Sequence, residues 1–226
     1  NQKDEQKILE NKGKLFKSKI RIQSLKEAIN QNYKIAIFDD GLQDHSINYD
    51  LAFVCFNNLN WIGNGFTIPS GPLRESFKTI KDHKNIFVTG NLTNLESIKK
   101  EIVKINPQSN ILTALYVPLN LHEFDKKEKY LVFSGIGNHE SFVSMLKSNG
   151  LNIIKDLEFP DHYNYSDQKI YDITSQAKKL NCKILTTEKD FLRLKGDNSN
   201  EIKFIKSELK INNENDFLNI LSDLYE

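Results

Sequence analysis

Residues Lys34 to Gln43 read KIAIFDDGLQ, an apolar run that ends in two adjacent aspartates. Such a short, continuous apolar run with β-branched residues predicts a strand that is buried on both faces of a parallel sheet. In open α/β sheets, ligands bind outside the carboxyl ends of the strands. Asp39 and Asp40 therefore predict a site for Mg²⁺ and phosphate at the end of this strand. The alternative for this stretch alone is a buried strand that ends in an ordinary Asp-Gly turn.

Helix and strand patterns alternate on either side of this stretch. A helix is predicted to open at the capping box Thr93 to Glu96 and to stop before Pro107, and another is closed by Gly150. Strands alternating with helices in both halves predict an α/β protein with mainly parallel sheets. The other predicted elements are helices over 21–30, 167–180 and 215–224 and strands over 50–56, 85–89, 130–134, 151–155, 182–187 and 201–209.

A change in composition divides the chain. The apolar extended segment at 111–118, ILTALYVP, is followed by a charged stretch at 123–129. Shifts of this kind mark domain boundaries. We therefore predict one domain over 1–110, an extended linker over 111–129 and a smaller C-terminal α/β subdomain over 130–226.

The charges of the chain are balanced. Its 226 residues include 31 Lys and Arg against 30 Asp and Glu, which gives a formal net charge of +1. This balance gives no sign of a broad nucleic-acid surface, so no nucleic-acid partner is expected. No apolar run reaches the roughly 20 residues that a membrane-spanning helix needs. Arg21, Arg74 and Arg193 are the only arginines, so few side chains can grip an anion with two parallel hydrogen bonds.

Four motifs in loops carry the other candidate side chains, and each has a purely structural alternative. Arg74 and Glu75 in GPLRE predict a binding site, or an exposed ion pair worth less than about 1 kcal/mol. The glycines of SGIGN predict an anion site at a helix N-terminus or, without a following Lys and Ser/Thr, a tight turn. Asp161 and His162 in FPDHYNY predict an orienting acid and a base, or a solvated histidine. TTEKD predicts a strand end followed by a solvated charge run.

The segment at residues 57–76 is long for a loop inside a compact domain. It carries the apolar residues Trp61, Phe66, Ile68 and Leu73 among its polar residues. Loops of this length are usually functional or disordered, and the apolar side chains argue against disorder. We therefore expect this loop to fold over another part of the molecule.

Five motifs follow one another in the order DDGLQ, GNGFTIPSGPLRE, SGIGN, FPDH and TTEKD. Together they resemble the tetraacyldisaccharide 4'-kinase family, the lipid A 4'-kinases of Gram-negative bacteria, from about Asp4 to Lys195. The resemblance implies a P-loop-kinase-like fold and transfer of the γ-phosphate of ATP to the 4'-hydroxyl of tetraacyldisaccharide 1-phosphate. It also implies peripheral contact with the inner membrane, at its cytoplasmic face.

The resemblance assigns roles to residues of the first half. Asp39 and Asp40 match the acids that hold Mg²⁺ in the family. Gln43 matches an active-site position and is predicted, with Arg74, to bind the ATP cofactor. Glu75 matches a further active-site position and is predicted to be catalytic.

His162 in FPDH matches the catalytic histidine of the family. KDEQ, at residues 3–6, is similar to the family's GDEP, whose Asp pairs with that histidine as the base, so Asp4 is the matching residue. Asp161 directly precedes His162, but neighbouring side chains on an extended loop point apart. We therefore expect Asp4 rather than Asp161 to lie near His162.

Two departures from the family pattern affect these expectations. Many members have His directly after DDGLQ, where this chain has Asp44 followed by His45, so a role for His45 is in doubt. No GxxxxGK[ST] occurs in the chain, and the family carries its P-loop upstream of GDEP. Residues 1–110 are therefore expected to be the remainder of a nucleotide-binding domain. Because phosphoryl transfer depends on the P-loop to position the phosphates, we expect this polypeptide alone to be inactive.

Two other interpretations remain open. A non-catalytic relative could keep the fold and bind a lipid or a partner protein through the GPLRE loop. Alternatively, Asp39 could be the nucleophile of a phosphotransferase similar to haloacid dehalogenases. Those enzymes carry DxDG, whereas the two acids here are adjacent, so this resemblance is weaker.

Overall fold

A computed structural model describes residues 13–91, 93–194 and 201–224 of the chain. Contacts divide the chain into two compact units, Asn1–Ala52 and Phe53–Glu226, and each is described by itself. Within the described residues, no helix is both long enough and apolar enough to cross a membrane.

The first unit contains helix α1 (Arg21–Asn30), as predicted. The strand predicted over 34–38 is wrong, because these residues do not have strand geometry and Ile35 and Ile37 are 60% and 94% exposed. A strand is stabilised by hydrogen bonds to a neighbouring strand. Residues 13–52 contain no strand with which this apolar run could pair, so Ile35 and Ile37 remain in solvent.

Strands and helices alternate along the second unit. Two short 3₁₀ helices, Phe77–Asp82 and Leu121–Glu123, lie between strands. In chain order, the other described elements are β1 (Phe53–Asn57), β2 (Asn85–Thr89), α2 (Leu95–Ile105), β3 (Asn110–Pro118), β4 (Lys129–Ser134), α3 (His139–Ser148), β5 (Asn152–Glu158), α4 (Asp167–Leu180), β6 (Lys183–Thr187), α5 (Glu188–Phe191), β7 (Ile202–Ile205), β8 (Ser207–Ile211) and α6 (Glu214–Ser222).

The first sheet has the strand order β1-β2-β3-β8. β1, β2 and β3 are parallel, whereas β8 runs antiparallel to β3. Side chains alternate between the two faces along a strand. On β2, Ile86 and Val88 therefore pack on the side of α2, whereas Phe87 contacts Phe217 of α6. Helices cover both faces of this sheet.

Three sequence predictions are wrong in this part of the unit. The predicted linker over 111–129 is not a linker in its first part, because residues 110–118 form β3 with strands on both sides. The strand predicted over 201–209 is two strands, β7 in one sheet and β8 in the other. The capping box at Thr93 does not form, because α2 begins after Asn94 and no side chain caps it. The division of the chain into domains stays a prediction.

The second sheet has the strand order β5-β4-β6-β7, and all four strands are parallel. α3 packs on one face, where Phe142, Met145 and Leu146 are buried as predicted. α4 packs on the other face through Ile170 and Ile173. Mainly parallel sheets between helices confirm the α/β fold class that the sequence predicts.

β4 marks a topological switch point of the second sheet. β5 lies on one side of β4 and β6 on the other, so the connections that leave these strands diverge. In open α/β sheets, ligands bind in the crevice outside the carboxyl ends of the strands at such a point. The motifs SGIGN, FPDH and TTEKD follow or overlap the carboxyl ends of β4, β5 and β6. The fold therefore brings three of the five motifs to one edge of one sheet.

Candidate active site

Asp190 lies at the centre of the side chains that follow these strands. It belongs to the short helix α5 and is fully buried. Its Oδ1 accepts hydrogen bonds from the Gly135 N–H and the Tyr165 hydroxyl, both at 3.1 Å, and its Oδ2 accepts one from the Thr187 hydroxyl at 2.7 Å. The prediction that TTEKD is a solvated charge run is therefore wrong for this residue. A carboxylate can be buried here because donors surround it.

Arg193 supplies the cation for this carboxylate. Its Nη1 lies 3.2 Å from Asp190 Oδ1 and donates a hydrogen bond to the Gly135 carbonyl at 3.0 Å. The Arg193 side chain is only 7% exposed, so the ion pair is buried. Removing one partner of such a pair leaves an uncompensated charge, at a cost of about 3–5 kcal/mol. The pair therefore fixes the turn around Gly135 firmly.

His162 is attached to the same cluster. Its Nδ1 lies 3.0 Å from Arg193 Nη2, and its backbone N–H donates to the Gly135 carbonyl at 3.0 Å. The His162 side chain is 29% exposed, so part of the ring is accessible to solvent or ligand. The histidine that the FPDH motif identifies thus has a distant partner in the chain, and that partner is an arginine.

Asp161 lies closer to His162 than predicted. Its Oδ2 is 3.8 Å from His162 Nε2, and its Oδ1 accepts a hydrogen bond from the His162 N–H at 2.9 Å. The expectation that these side chains point apart is wrong, because His162 has a φ of 58° and the loop is not extended there. Asp4 lies outside the described residues, so its place near His162 stays a prediction.

Tyr165 belongs to the same cluster, because its hydroxyl donates a hydrogen bond to Asp190. Burial raises the pKa of Tyr165 far above its usual range, and the neighbouring Asp190 carboxylate raises this pKa further. The hydroxyl therefore stays protonated at neutral pH and remains a donor to Asp190.

SGIGN forms a tight turn, as one of the two alternatives predicted. Asn138 caps α3 by accepting a hydrogen bond from the Ser141 N–H at 3.3 Å. The N–H of Gly135 is already donated to Asp190. A Cβ at Gly135 would lie 2.9 Å from the Cβ of Tyr163, so the close approach of the two loops requires glycine.

The long loop after β1 folds onto itself. The Asn64 amide donates to the Ser70 carbonyl at 2.8 Å, and its side-chain oxygen accepts from the Phe66 N–H at 3.1 Å. A Cβ at Gly71 would collide with the Asn64 side chain and the Phe66 carbonyl. The GNG and SGP parts of the motif therefore form one interlocked turn.

Arg74 and Glu75 follow this interlocked turn, and both are exposed. They lie on the loop that leaves the first sheet, whereas His162 follows a strand of the second sheet. Their predicted contacts with ATP and with the disaccharide stay predictions.

Asp39 and Asp40 lie in a turn of the first unit, and both are exposed. The Arg21 guanidinium of α1 donates to the Asp40 carbonyl at 2.7 Å and, more weakly, to the Asp39 carbonyl at 3.4 Å. The Tyr49 hydroxyl donates to the Gly41 carbonyl at 2.8 Å. Arg21 and Tyr49, which no sequence motif identifies, therefore hold the backbone of the DDG turn.

The carboxylates of Asp39 and Asp40 suit Mg²⁺ by their donor chemistry. Mg²⁺ is usually bound through one or two carboxylates together with waters and substrate phosphates. Among the described residues, no group of three or more His, Cys, Asp or Glu side chains could hold a metal ion. A magnesium ion held by these carboxylates would take its further ligands from waters and substrate phosphates.

Asp44 occupies the position at which many family members have histidine. Its carboxylate accepts hydrogen bonds from the Ser46 hydroxyl and from the Ser46 N–H, and these bonds lower the pKa of Asp44. Gln43 and His45, on either side of Asp44, are exposed. The role of Gln43 in binding ATP stays a prediction.

Comparison with known proteins gives consistent matches. The family model described as LpxK, tetraacyldisaccharide-1-P 4'-kinase, matches residues 4–226. A tetraacyldisaccharide 4'-kinase of Pelagibacter ubique (strain HTCC1062) is 55% identical over 226 residues, which cover 100% of this chain and 72% of that protein. A protein of the same name from Rickettsia canadensis (strain McKiel) is 38% identical, over 80% of this chain and 54% of that protein. Another, from Rickettsia bellii (strain OSU 85-389), is 35% identical, over 94% of this chain and 64% of that protein.

One solved structure shows the same fold. The crystal structure of the "apo" form of LpxK from Aquifex aeolicus in complex with ATP matches with a TM-score of 0.59 and 21% sequence identity. The match covers 92% of this chain and 64% of that chain. This likeness confirms the predicted kinase-like fold class. The chain spans 54% to 72% of the length of the curated relatives compared above. The match of the family model over nearly the whole sequence, with 55% identity to one curated member, shows that this chain belongs to the tetraacyldisaccharide-1-P 4'-kinase family.

Proposed function

We propose that this chain is part of a lipid kinase of lipid A biosynthesis. The kinase transfers the γ-phosphate of ATP to the 4'-hydroxyl of tetraacyldisaccharide 1-phosphate. The observation that carries this proposal is His162, a partly exposed histidine fixed by a buried ion pair at the switch point of a parallel sheet. The proteins compared are named as kinases, so they give no support to a non-catalytic relative.

The reaction needs help at the attacking hydroxyl, because a sugar hydroxyl is a poor nucleophile at neutral pH. A side chain that accepts the proton in the transition state typically contributes about 10²- to 10⁴-fold in rate. We assign this work to Asp4, paired with His162, as the resemblance implies. Glu75, at the end of the interlocked turn, is proposed to accept a hydrogen bond from the sugar.

The reaction also needs groups that hold the phosphates. Arg74 is exposed and can present a planar guanidinium to phosphate oxygens, and Gln43 is exposed beside the DDG turn. The solved relative is described in complex with ATP, and we propose the same nucleotide for this family member. Asp39 and Asp40 would hold Mg²⁺, which when bound neutralises negative charge on the phosphates. A P-loop from the upstream family segment is expected to complete this site.

The substrate determines where such a kinase works. A disaccharide with four acyl chains buries those chains in a bilayer, because each buried CH₂ contributes about 0.8 kcal/mol. We therefore propose that the kinase makes peripheral contact with the cytoplasmic face of the inner membrane, where ATP is available.

The proposal is tested by a direct kinase assay. The chain is joined to the upstream P-loop segment of the family and incubated with ATP, Mg²⁺ and tetraacyldisaccharide 1-phosphate in detergent micelles. Mass spectrometry is expected to show the addition of one phosphate, with His162→Ala slower by about 100-fold or more. Lys179→Gln, a change of an exposed side chain on α4, is the matched control and should leave the rate unchanged. A folded, ATP-binding joined protein that forms no product would refute the proposal.

A further inference from the structure

We propose that Arg193, anchored by Asp190, is a positioning residue that holds His162 in the tautomer with its proton on Nε2. In this state His162 can only donate a hydrogen bond from Nε2, which agrees with the carboxylate base that the family resemblance implies. The inference rests on the proposed function in one respect, namely that His162 takes part in the reaction. The tautomer itself can be tested without any kinase activity.

The contact between Arg193 and His162 permits one arrangement of protons. A guanidinium is always charged and carries only donors. At 3.0 Å from Nη2, the Nδ1 atom of His162 must therefore offer its lone pair, because an N–H on Nδ1 would face the N–H of the arginine. In a neutral imidazole the other nitrogen then carries the proton. Nε2–H is thus the group that His162 presents away from Arg193.

Arg193 cannot easily leave this position. Its Nη1 is bound to both the Asp190 carboxylate and the Gly135 carbonyl, and its side chain is 7% exposed. The His162 backbone N–H is bound to the same Gly135 carbonyl. Side chain and backbone of His162 are therefore fixed to one rigid group, which is the condition for fixing a tautomer.

This tautomer limits the chemistry of His162. Its Nδ1 lone pair is engaged by Arg193 and its Nε2 is protonated, so neither nitrogen can take a proton from the substrate. The proton of the 4'-hydroxyl must pass to another group as the bond from the 4'-oxygen to the γ-phosphorus forms and the bond from that phosphorus to the bridging oxygen of ADP breaks. A carboxylate that accepts a hydrogen bond from Nε2–H would be oriented for this task. Asp161 Oδ2 lies 3.8 Å from Nε2, and the resemblance offers Asp4 as the other candidate.

The first test measures the tautomer in the 226-residue chain itself. The five histidines are labelled with ¹⁵N, and two-bond ¹H–¹⁵N correlation spectra are recorded at alkaline pH, where imidazoles are neutral. His162 is assigned by the signal that disappears in His162→Gln. We expect Nδ1 of His162 to be unprotonated and Nε2 to be protonated. Protonation on Nδ1, or an equal mixture of both tautomers, would overturn the inference.

The second test changes the anchor. Arg193→Lys keeps the positive charge that balances Asp190 but loses Nη2, the guanidinium nitrogen that contacts His162. The substitution should therefore release His162 into a mixture of tautomers. His139 is an internal reference, because its ring contacts Ser134 and Asp156, and its signals should not move. Lys179→Gln should leave both histidines unchanged. An unaltered His162 tautomer in a folded Arg193→Lys protein would mean that Arg193 does not position the ring.

The third test separates donor from base in the joined kinase. In His162→Gln the amide N–H₂ reaches the place of Nε2, whereas in His162→Asn it reaches only the place of Nδ1. A donor role predicts that the Gln variant keeps activity within about tenfold of the parent, while the Asn variant loses about 100-fold or more. Equal losses in both variants would exclude the donor role, even if the tautomer is as proposed. Full activity in both would instead remove His162 from the proposed function.

Discussion

At the scale of single residues, Tyr165 is predicted to stabilise the fold through its hydrogen bond to the buried Asp190. It is 6% exposed, and its hydroxyl donates a hydrogen bond to the buried Asp190 carboxylate. Tyr165→Phe removes that donor without changing the shape of the ring. We expect the free energy of unfolding to fall by about 2 kcal/mol, which is typical of a hydrogen bond to a charged group. Urea denaturation measures this, with the exposed Tyr171→Phe as the matched control.

The raised pKa of Tyr165 also predicts a dependence of stability on pH. In the unfolded chain a tyrosine loses its proton near pH 10, whereas in the folded chain it does so only at higher pH. Above about pH 10 this tyrosine binds fewer protons in the unfolded state than in the folded state. The free energy of unfolding therefore falls as the pH rises. The parent should therefore lose stability more steeply above about pH 10 than Tyr165→Phe does. Parallel curves for the two proteins would contradict this.

The two aspartates of the DDG turn predict a loss of activity without a loss of fold. Asp39 and Asp40 are exposed, so Asp39→Asn or Asp40→Asn should leave the unfolding temperature nearly unchanged. In the joined kinase each change should lower kcat by orders of magnitude, because the phosphoryl group would lose the Mg²⁺ that we assign to these carboxylates. Asp50→Asn, at another exposed acid of the same unit, is the control. Near-normal turnover in both variants would remove the assignment of Mg²⁺ to this turn.

Motif residues could be predicted from the sequence, but the residues that hold them could not. His162 and Asp39 stand in recognisable motifs, whereas Arg193 and Arg21 lie 31 and 18 positions away from them. Such a contact depends on how distant segments of the chain are arranged in space, and no local pattern records that. The scarcity of arginine was the one available signal, since both partners are among the three arginines of the chain.

At the level of elements, the interlocked turn after β1 depends on one glycine. Gly71 packs so closely on Asn64 and Phe66 that any Cβ would force them apart. Gly71→Ala should therefore displace Arg74, and we expect the KM for ATP in the joined kinase to rise by about tenfold or more. Gly13→Ala is a matched control, because a Cβ there would meet nothing within 4 Å. An unchanged KM in Gly71→Ala would show that the turn does not serve binding.

The apolar run at 34–38 shows where element prediction fails and why. Helices α1 and α4 and strand β2 lie at their predicted bounds, because helix periodicity is local and β2 has strands on both sides. The run at 34–38 also has β-branched residues, Ile35 and Ile37, but a strand also needs a neighbour that lies elsewhere in the chain. A hydrophobic pattern alone therefore predicts a strand even where no partner strand is present.

This difference between two apolar runs can be measured. Ile37 is 94% exposed and Ile86 is fully buried in β2. Ile37→Thr should change the free energy of unfolding of the 226-residue chain by less than about 0.5 kcal/mol. Ile86→Thr loses buried apolar surface and buries a hydroxyl, and should cost about 2 kcal/mol or more. Equal costs for the two substitutions, measured by urea denaturation, would mean that the run at 34–38 is packed in solution.

At the level of the whole second unit, the chain returns to its first sheet after completing the second one. β8 pairs with β3, and α6 covers Phe87 and neighbouring residues of the first sheet. A hydrogen bond from the Asn57 amide to the Ser141 hydroxyl also connects the end of β1 with α3, which packs on the second sheet. The two sheets are thus linked both through the chain and through side chains. A composition shift near residue 120 could not reveal this, because it says nothing about which segments pair.

Removal of the last twenty residues tests this return. Deletion of residues 207–226 takes away β8 and α6 and exposes Phe87, Leu112 and Ala114 to solvent. We expect the shortened protein to unfold at a lower urea concentration and to aggregate, because an unpaired strand edge and an apolar face are exposed together. Deletion of 225–226 alone is the control. Unchanged stability in the longer deletion would mean that the first sheet does not need β8 and α6.

The Gly135 amide offers a way to follow the opening of the cluster around Asp190, Arg193 and His162 in time. Its hydrogen is donated to a fully buried carboxylate, and the carbonyl of the same residue accepts from both Arg193 and the His162 backbone. Exchange of that hydrogen with deuterium requires the amide to separate from Asp190. Its protection factor therefore reports the free energy of local opening around His162, on the scale from fraying to global unfolding. A substrate that binds only the closed cluster would slow exchange at this single amide in proportion to its affinity.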